Sequence, residues 1–164
     1  MKNLISFDEM FESNSIFESY IPTLLDDEVI AATLVGEAGG EDEKGMTAVL
    51  NVLKNRAKKK KTSKVGEALR PYRFSMWNEV TKNVSDRKDY KASEIKKIVD
   101  QFKKHEKWKK ALDLVKSKPA DITKGANSYY AYKGPNKISP PDFTKKWKKT
   151  IDIGNHRFGY IEKL

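Results

Sequence analysis

A short apolar stretch of helical character that ends in a single acid is the feature that most constrains the fold of this chain. Residues 29–35 are apolar except for Thr33, Glu37 follows them, and Gly39-Gly40 interrupt the helix just beyond. An acid at such a break can be enclosed by apolar side chains, which disfavour its ionised form and raise the pKa of a carboxyl. Glu37 is therefore a candidate general acid. The alternative is an ordinary solvated acid at the end of a helix.

Further helices are predicted on either side of this acid. Acidic residues 26–28 fall in the first turn of the helix that ends near Glu37, where the helix dipole favours negative charge. A second helix is predicted to begin at the acidic residues 41–43, which are expected to be solvated. A short helix over residues 65–69 is expected to stop before Pro71.

A long apolar stripe predicts one continuous helix between Ser93 and the residues 117–119 that close it. Ser93 is expected to cap this helix, and His105 is expected to lie on its surface among lysines without a catalytic role. The apolar residues recur with a period near 3.6. They are Ile95, Ile98, Val99, Phe102, Trp108, Leu112 and Val115.

The predicted fold class is α+β: a mostly helical domain with a small antiparallel β-hairpin. Two short strands, residues 147–153 and 156–161, are expected around the turn at Gly154-Asn155. We expect residues 24–164 to form one domain, since the chain is long enough to bury a core and no linker divides it. Residues 1–23 are expected to be an extension with an amphipathic helical pattern. This extension would either pack on the domain or dock to another protein.

The charge balance favours an anionic partner. The chain carries 33 Lys and Arg against 23 Asp and Glu, a formal net charge of +10, which attracts any polyanion. Nucleic acid is the weaker choice, because no helix-turn-helix, zinc or RNA-binding signature accompanies the charge. The chain has no cysteine, so disulfides and thiol catalysis are excluded, and it has only two histidines. A metal site or other cofactor is not expected.

Five separated segments follow one another in a familiar order. They are Gly36-Glu37-Ala38, Asn51-Val52-Leu53-Lys54-Asn55-Arg56, Arg73-Phe74-Ser75-Met76-Trp77, Gly125-Ala126-Asn127-Ser128-Tyr129-Tyr130-Ala131 and Ile153-Gly154-Asn155-His156-Arg157-Phe158. Together they resemble the SleB/CwlJ-type cell wall hydrolases, a family of spore-cortex-lytic enzymes, over about residues 25–160. The resemblance implies a lysozyme-like catalytic domain that cuts the glycan strands of peptidoglycan. It also implies that Glu37 is catalytic and that Asn51 and Arg56 support the site structurally.

A glycan cleft needs aromatic faces beside hydrogen-bonding groups. Packing in the core is the alternative role for these aromatic residues. It is the preferred role for Phe74, and it is also considered for Trp77 and for at least one tyrosine. His156 could instead be a structural hydrogen-bonding residue. The resembled family usually has glutamine where this chain has Arg73, which leaves the detailed substrate contacts open. The candidate substrate-binding residues are Phe74, Ser75, Trp77, Tyr129, Tyr130, Tyr132 and His156.

The mechanism depends on whether a second carboxylate assists Glu37. Retaining hydrolysis needs two carboxyls about 5 Å apart, and inverting hydrolysis needs them about 6.5–9.5 Å apart. Glu41 is the nearest acid in sequence, but it lies beyond the glycines, so we do not expect it to act as a nucleophile. A lytic transglycosylase needs one carboxyl, because the C6 hydroxyl of N-acetylmuramic acid is the nucleophile. This reaction is the preferred prediction, with N-acetylmuramidase activity, a non-catalytic wall-binding module and a basic nucleic-acid-binding protein as alternatives.

The expected location follows from the substrate and the N-terminus. No apolar stretch is long enough to span a membrane, and the first ten residues lack the apolar core of an export signal. A wall enzyme without such a signal would be delivered by lysis, by a phage particle or through a separate pore. Anionic polymers of the cell envelope are expected partners beside the glycan. A phage origin is consistent with this prediction.

Overall fold

The computed structural model describes residues 23–81 and 90–164. The predicted N-terminal extension therefore lies, apart from Thr23, outside the described residues. The helices are α1 (Thr23–Ala38), α2 (Glu43–Lys60), α3 (Lys64–Ala68), α4 (Asn78–Thr81), α5 (Ala92–Phe102) and α6 (Trp108–Ser117), with short 3-10 segments at Ser75–Trp77 and Asp142–Lys146. The strands are β1 (Ser128–Ala131), β2 (Trp147–Ile153) and β3 (His156–Ile161).

Helix α1 forms the centre of the helical core. Residues 29–35 are all buried, with no side chain more than 4% exposed, because α1 packs against α2, α3, α5 and α6. A helix that is apolar around most of its circumference is stable only when it is enclosed in this way. The predicted helix end is confirmed: α1 stops at Ala38, and the amide of Gly39 donates to the carbonyl of Val35 at 2.8 Å.

Helix α2 begins shortly after α1 ends. Asp42 is its N-cap, since a carboxylate oxygen accepts the amide hydrogen of Gly45 at 3.0 Å. Glu41 therefore precedes the helix, and its side chain is only 10% exposed. The prediction that Glu41 is a solvated residue of the first turn is wrong, because its carboxylate is covered by the turn between β2 and β3.

The single long helix predicted from Ser93 is also wrong, because α5 and α6 are separated by a turn. Residues 103–107 contain no apolar side chain, so the buried stripe is interrupted for more than one helical turn. The backbone tightens there, with the amides of Lys104 and His105 donating to carbonyls three residues earlier. Ser93 lies inside α5, and the N-cap is Lys91, which makes no side-chain capping bond.

The predicted hairpin is confirmed and gains a third strand. The sheet has the order β1-β3-β2 and is antiparallel throughout, so β3 is its central strand. In register, Tyr129 of β1 pairs with Phe158 of β3, which in turn pairs with Ile151 of β2. Since successive side chains alternate between the two faces, Tyr129 and Tyr130 point to opposite sides of the sheet.

One face of this sheet packs on α2 and so joins the two parts of the fold. Phe158 is fully buried and shares a small apolar cluster with Ala48 and Val52 of α2 and with Ala126. Tyr129 contacts both this cluster and the main core. None of the helices in the described ranges is both long and apolar enough to cross a membrane.

Candidate active site

Glu37 lies in the last turn of α1 and faces the beginning of the sheet. Its Oε2 lies 2.9 Å from the hydroxyl of Tyr129, which donates to it. Tyr129 is on β1, an edge strand of the sheet, on the face that packs against α2. The predicted catalytic acid and one of the predicted cleft tyrosines are therefore in direct contact.

The surroundings of Glu37 favour the protonated carboxyl. Burial raises the pKa of Glu37 above the ordinary value of a glutamic acid, and the hydrogen bond from Tyr129 partly offsets this rise. The free carbonyls at the end of α1 carry partial negative charge, which acts in the same direction as burial. Burial also raises the pKa of Tyr129 well above that of a free phenol, with the Glu37 charge adding to the effect. Tyr129 therefore keeps its proton and remains a donor.

The segment Arg73-Phe74-Ser75-Met76-Trp77 docks on the last two turns of α1. The indole Nε1 of Trp77 donates to the hydroxyl of Thr33 at 3.0 Å, and Thr33 donates to the carbonyl of Val29 at 2.8 Å. One turn later, Met76 packs so closely on Gly36 that a Cβ there would lie 2.4 Å from its sulfur. This docking fixes the helix end that carries Glu37.

Phe74 and Trp77 are both core residues. Phe74 is 3% exposed, as preferred from the sequence, although it also lines a groove beside Glu37. Trp77 is completely buried and does not line that groove. The sugar platform predicted at Trp77 is therefore wrong, because its ring and its N–H are both used inside the core.

Polar residues of α2 hold the segment that leads into β1. Asn51 Oδ1 accepts from the amide of Ile122 at 3.0 Å, and Asn55 Nδ2 donates to the carbonyl of Ala126 at 2.9 Å. Arg56 Nη1 donates to the carbonyl of Asn127 at 2.7 Å. The predicted supporting role of Asn51 and Arg56 is thus confirmed as a structural one. Their contacts position the strand that carries Tyr129.

Asn127 completes this support from the strand side. Its Nδ2 donates to the carbonyl of Ile161 at 2.8 Å, and its Oδ1 accepts from the amide of Ile161 at 2.8 Å. A side-chain amide thus substitutes for a backbone pair just before β1 begins. The start of β1 is therefore tied to the end of β3 as well as to α2.

Sequence reasoning missed Glu67, a fully buried carboxylate of α3 surrounded by three arginines. Arg56 Nε lies 2.6 Å from Oε1, Arg70 Nε lies 2.9 Å from Oε2, and Arg73 Nε lies 3.5 Å from Oε1. Burial alone would raise the pKa of Glu67, but the hydrogen bond from Arg56 and the charges of the three arginines lower it overall. The spacing of Arg70, three residues after Glu67 on a short helix, was the available signal.

A groove of about 410 Å³ begins at Glu37 and Tyr129 and runs past the start of β1. Phe74 and the two exposed aromatic rings of Tyr72 and Phe143 form part of its wall. Neither Tyr72 nor Phe143 was a candidate from the sequence. Glu37 is the one carboxylate side chain among the described residues that line this groove.

The structure separates the other predicted substrate-binding residues from this groove. Ser75 is exposed but is not part of the groove wall. Tyr130 lies on the opposite face of β1, where its ring packs at 5.8 Å from that of Trp147. Tyr132 follows β1 and stacks under the guanidinium of Arg157 at 4.6 Å. Of the three predicted tyrosines, Tyr129 is the one that reaches Glu37.

His156 and Glu41 form a pair behind Tyr129. The ring of His156 meets that of Tyr129 edge-on at 5.3 Å, and its Nδ1 lies 3.5 Å from Glu41 Oε1. Burial lowers the pKa of His156, while the charge of Glu41 opposes this shift. Glu41 Oε2 also accepts from the amide of Asn155 at 3.3 Å. Neither His156 nor Glu41 lines the groove.

Within residues 23–81 and 90–164, no three acidic, histidine or cysteine side chains lie close enough together to hold a metal ion. A partly buried carboxyl with a raised pKa can deliver a proton to an oxygen leaving group, and the tyrosine hydroxyl orients that carboxyl.

Comparisons with known proteins agree with this architecture. The family model for cell wall hydrolases matches residues 40–159, a segment that begins three residues after Glu37. Two solved structures have the same fold: the catalytic domain of the germination-specific lytic transglycosylase SleB from Bacillus anthracis, with a TM-score of 0.53, and that of the SleB protein from Bacillus cereus, with a TM-score of 0.52.

Each is 21% identical to this chain and is aligned over 85% of it, covering 99% and 94% of the respective SleB domains. A search of curated proteins found no match. The fold is thus the lysozyme-like fold of the SleB catalytic domains, as the sequence predicted. Because the family model spans most of the chain, the chain belongs to the cell wall hydrolase family, a family of peptidoglycan-cleaving enzymes.

Proposed function

We propose that this chain is a lytic transglycosylase that cuts the bond between N-acetylmuramic acid and N-acetylglucosamine in peptidoglycan, with Glu37 as its single general acid and base. The observation that carries the proposal is the partly buried Glu37 carboxyl, which opens on a groove and accepts a hydrogen bond from Tyr129. The family and the SleB fold support cleavage of peptidoglycan in general.

In the first step, protonated Glu37 gives its proton to the oxygen that bridges the two sugars, and the bond between this oxygen and C1 of N-acetylmuramic acid breaks. The C6 hydroxyl of the same sugar then attacks C1 and forms a 1,6-anhydro ring. Glu37, now a carboxylate, removes the proton of that hydroxyl and returns to its starting state. The attack gains from proximity, because nucleophile and electrophile belong to one sugar.

The absence of a second acidic side chain from the described groove wall favours transglycosylation over hydrolysis. Hydrolysis by two acids requires the second carboxyl within about 10 Å and on the substrate side. Glu41, the nearest acid in sequence, is covered by the turn at Asn155 and is not part of the groove wall. N-acetylmuramidase activity is therefore the second candidate.

For the glycan contacts, we propose the four aromatic residues of the groove wall, Tyr129, Phe74, Tyr72 and Phe143. Aromatic faces pack well on the apolar faces of sugar rings. The hydroxyl of Tyr129 serves chiefly to orient Glu37. His156 acts behind it as a positioning residue through the ring of Tyr129.

The test is digestion of purified murein sacculi followed by mass spectrometry of the released fragments. We expect muropeptides with 1,6-anhydro ends from the wild-type chain. The Glu37→Gln variant should still sediment with sacculi but should release fragments about 10²–10⁴ times more slowly. Fragments with reducing N-acetylmuramic acid ends would show that the enzyme hydrolyses the glycan and is not a transglycosylase. Undiminished release by Glu37→Gln would remove Glu37 from the mechanism.

A further inference from the structure

The groove that begins at Glu37 has a marked excess of positive charge along its wall. Three lysines, Lys60, Lys146 and Lys163, line it together with Arg73. None of these lysines forms a hydrogen bond or an ion pair with an acid in the described part of the chain, whereas Lys145, next to Lys146, pairs with Asp142 at 2.7 Å. The three lysines of the groove are thus available to a bound molecule.

The arginine cluster around Glu67 adds to this positive charge, and two of its members, Arg56 and Arg73, themselves line the groove. Glu67 carries one negative charge and contacts Arg56, Arg70 and Arg73, so it cannot neutralise all three. This surplus of positive charge acts on Lys60. Burial lowers the pKa of Lys60, the charges of Arg70, Arg56 and Arg73 lower it further, and the charge of Glu67 raises it. Lys60 therefore sits in a positive field that an anionic ligand would relieve.

The glycan backbone itself does not account for this charge. Its sugars are neutral, and they need aromatic faces and hydrogen-bonding groups, which Tyr72, Phe143 and Tyr129 offer. The anionic groups that accompany the glycan of peptidoglycan are the free carboxylates of the peptide stems, which branch from the lactyl group of each substituted N-acetylmuramic acid. A groove lined by both aromatic rings and unpaired lysines matches a glycan together with its stems.

We infer that this groove is selective for stem-bearing glycan strands, with Lys60, Lys146 and Lys163 binding the free carboxylates of the peptide stem. The inference rests on the proposed cleavage of peptidoglycan and adds to it the part of the substrate that decides selectivity. Lysine suits this role because its ammonium group is carried on a flexible side chain and can follow carboxylates that vary in position. Several lysines are needed, because each exposed ion pair contributes little alone. The selectivity should decrease with salt, since exposed charges are screened within about 10 Å at 0.1 M ionic strength.

The test uses one batch of murein sacculi, freed of wall teichoic acid, in three forms. The first is untreated, and the second has its stem carboxylates converted to amides with carbodiimide and ammonia. The third has its stems removed by an amidase, and the lactyl carboxylates that this exposes are then converted to amides in the same way. The amidated form keeps the bulk of the stem and loses its negative charges. Initial cleavage rates are measured for the wild-type chain and for two triple variants of equal charge.

The groove variant is Lys60→Gln with Lys146→Gln and Lys163→Gln, and the matched control is Lys44→Gln with Lys97→Gln and Lys104→Gln. The three control lysines are exposed and lie outside the groove wall. Lysine-to-glutamine changes at such sites alter stability by about 0.5 kcal/mol or less, so both variants should fold, and melting curves verify this.

We expect the wild-type chain to cleave untreated murein about fivefold faster than amidated or stem-free murein, a factor consistent with weak exposed ion pairs. The groove variant should fall to the slower rate on untreated murein and change little on the other two forms, while the control behaves like the wild type. Equal wild-type rates on all three forms would overturn the inference. Equal losses in the groove and control variants would also overturn it, because they would indicate general charge attraction.

Binding separates this inference from the proposed reaction. Co-sedimentation of the Glu37→Gln variant, with and without the three groove changes, measures recognition without cleavage. Stronger binding to untreated than to amidated murein, lost in the groove variant, supports the inference even if the products disprove transglycosylation. Binding only to sacculi that retain wall teichoic acid, whether or not the stem carboxylates are amidated, would show that the lysines bind phosphate groups. This result would overturn the inference.

Discussion

The hydroxyl of Tyr129 donates a 2.9 Å hydrogen bond to Glu37, across a sequence separation of 92 residues. This bond joins the end of the central helix to β1, an edge strand of the sheet, so the acid is held by both parts of the fold. It also stabilises the ionised form of Glu37 and partly offsets the rise in pKa that burial causes.

The Tyr129→Phe substitution should move the basic limb of the pH–rate profile upward. Glu37 must be protonated to act as an acid, so the rate falls as the pH rises through its pKa. Without the hydroxyl, the carboxylate loses a stabilising donor, and its pKa rises further. A hydrogen bond to a charged group is strong enough to move the limb by about one pH unit.

The measurement is kcat/KM for murein fragments as a function of pH. Tyr130→Phe is the matched control, because Tyr130 is on the same strand but on the opposite face. The control should keep the wild-type profile. A basic limb that stays in place in Tyr129→Phe would contradict the proposed role of this hydrogen bond.

The Glu37→Gln substitution should stabilise the fold at neutral and higher pH. The folded-state pKa of Glu37 is raised, mainly by burial, so ionising this carboxyl costs stability. The cost is fully present above the raised pKa, decreases as the pH falls through it, and vanishes below the unfolded-state pKa. Urea unfolding at pH 8 and pH 4 should show a higher midpoint for the variant only at pH 8. A lower midpoint at pH 8 would contradict burial of the charge.

The parts of the site that could be predicted from sequence are those fixed by local chain geometry. An apolar run stopped by Gly39-Gly40 placed Glu37 at a helix end, and the glycine turn at residues 154–155 indicated the hairpin. At Gly154, φ is +58°, a conformation that glycine adopts readily, and a Cβ would lie 2.2 Å from Glu41. Such features require no knowledge of distant contacts.

The features that sequence reasoning missed depend on contacts between distant residues. The strand over residues 128–131 is short, and its pairing with β3 decides which tyrosine faces the acid. The burial of Trp77 depends on Thr33, 44 positions earlier, and that of Glu67 on arginines from two elements. Periodicity alone gives no account of such pairings.

The Glu67→Gln substitution should destabilise the fold strongly. It leaves Arg56, whose side chain is 4% exposed, without its charged partner, and this arginine also supports the strand that carries Tyr129. Removing one partner of a buried pair costs about 3–5 kcal/mol. The pKa of Glu67 is lowered in the fold, so its contribution is present above the unfolded-state pKa and is lost as the pH falls through the lowered value.

Urea unfolding at pH 7 measures this effect, and the difference from the wild type should shrink in acid. Asp142→Asn, which removes an exposed partner of Lys145, is the control and should change the free energy of unfolding by less than about 1 kcal/mol. A Glu67→Gln variant as stable as this control would show that the arginines are satisfied without the carboxylate.

The Trp77→Phe substitution separates a core role from a substrate role. The variant loses the hydrogen bond to Thr33 and some buried volume, which together cost about 1–3 kcal/mol. The KM for murein fragments should stay close to the wild-type value, since Trp77 does not line the groove. A raised KM with unchanged stability would instead indicate that Trp77 contacts a sugar ring of the substrate, as predicted from the sequence.

The Glu41→Gln substitution tests for a second catalytic acid. Glutamine keeps an oxygen for the amide of Asn155, so the turn over the end of the sheet should hold. Because Glu41 is outside the groove wall, cleavage should fall by less than about tenfold, against about 10²–10⁴ for Glu37→Gln. The products should keep their anhydro ends, as judged by mass spectrometry. If Glu41→Gln loses as much activity as Glu37→Gln and the wild type releases reducing ends, two carboxylates act on the glycan, and the enzyme is a hydrolase of the lysozyme kind.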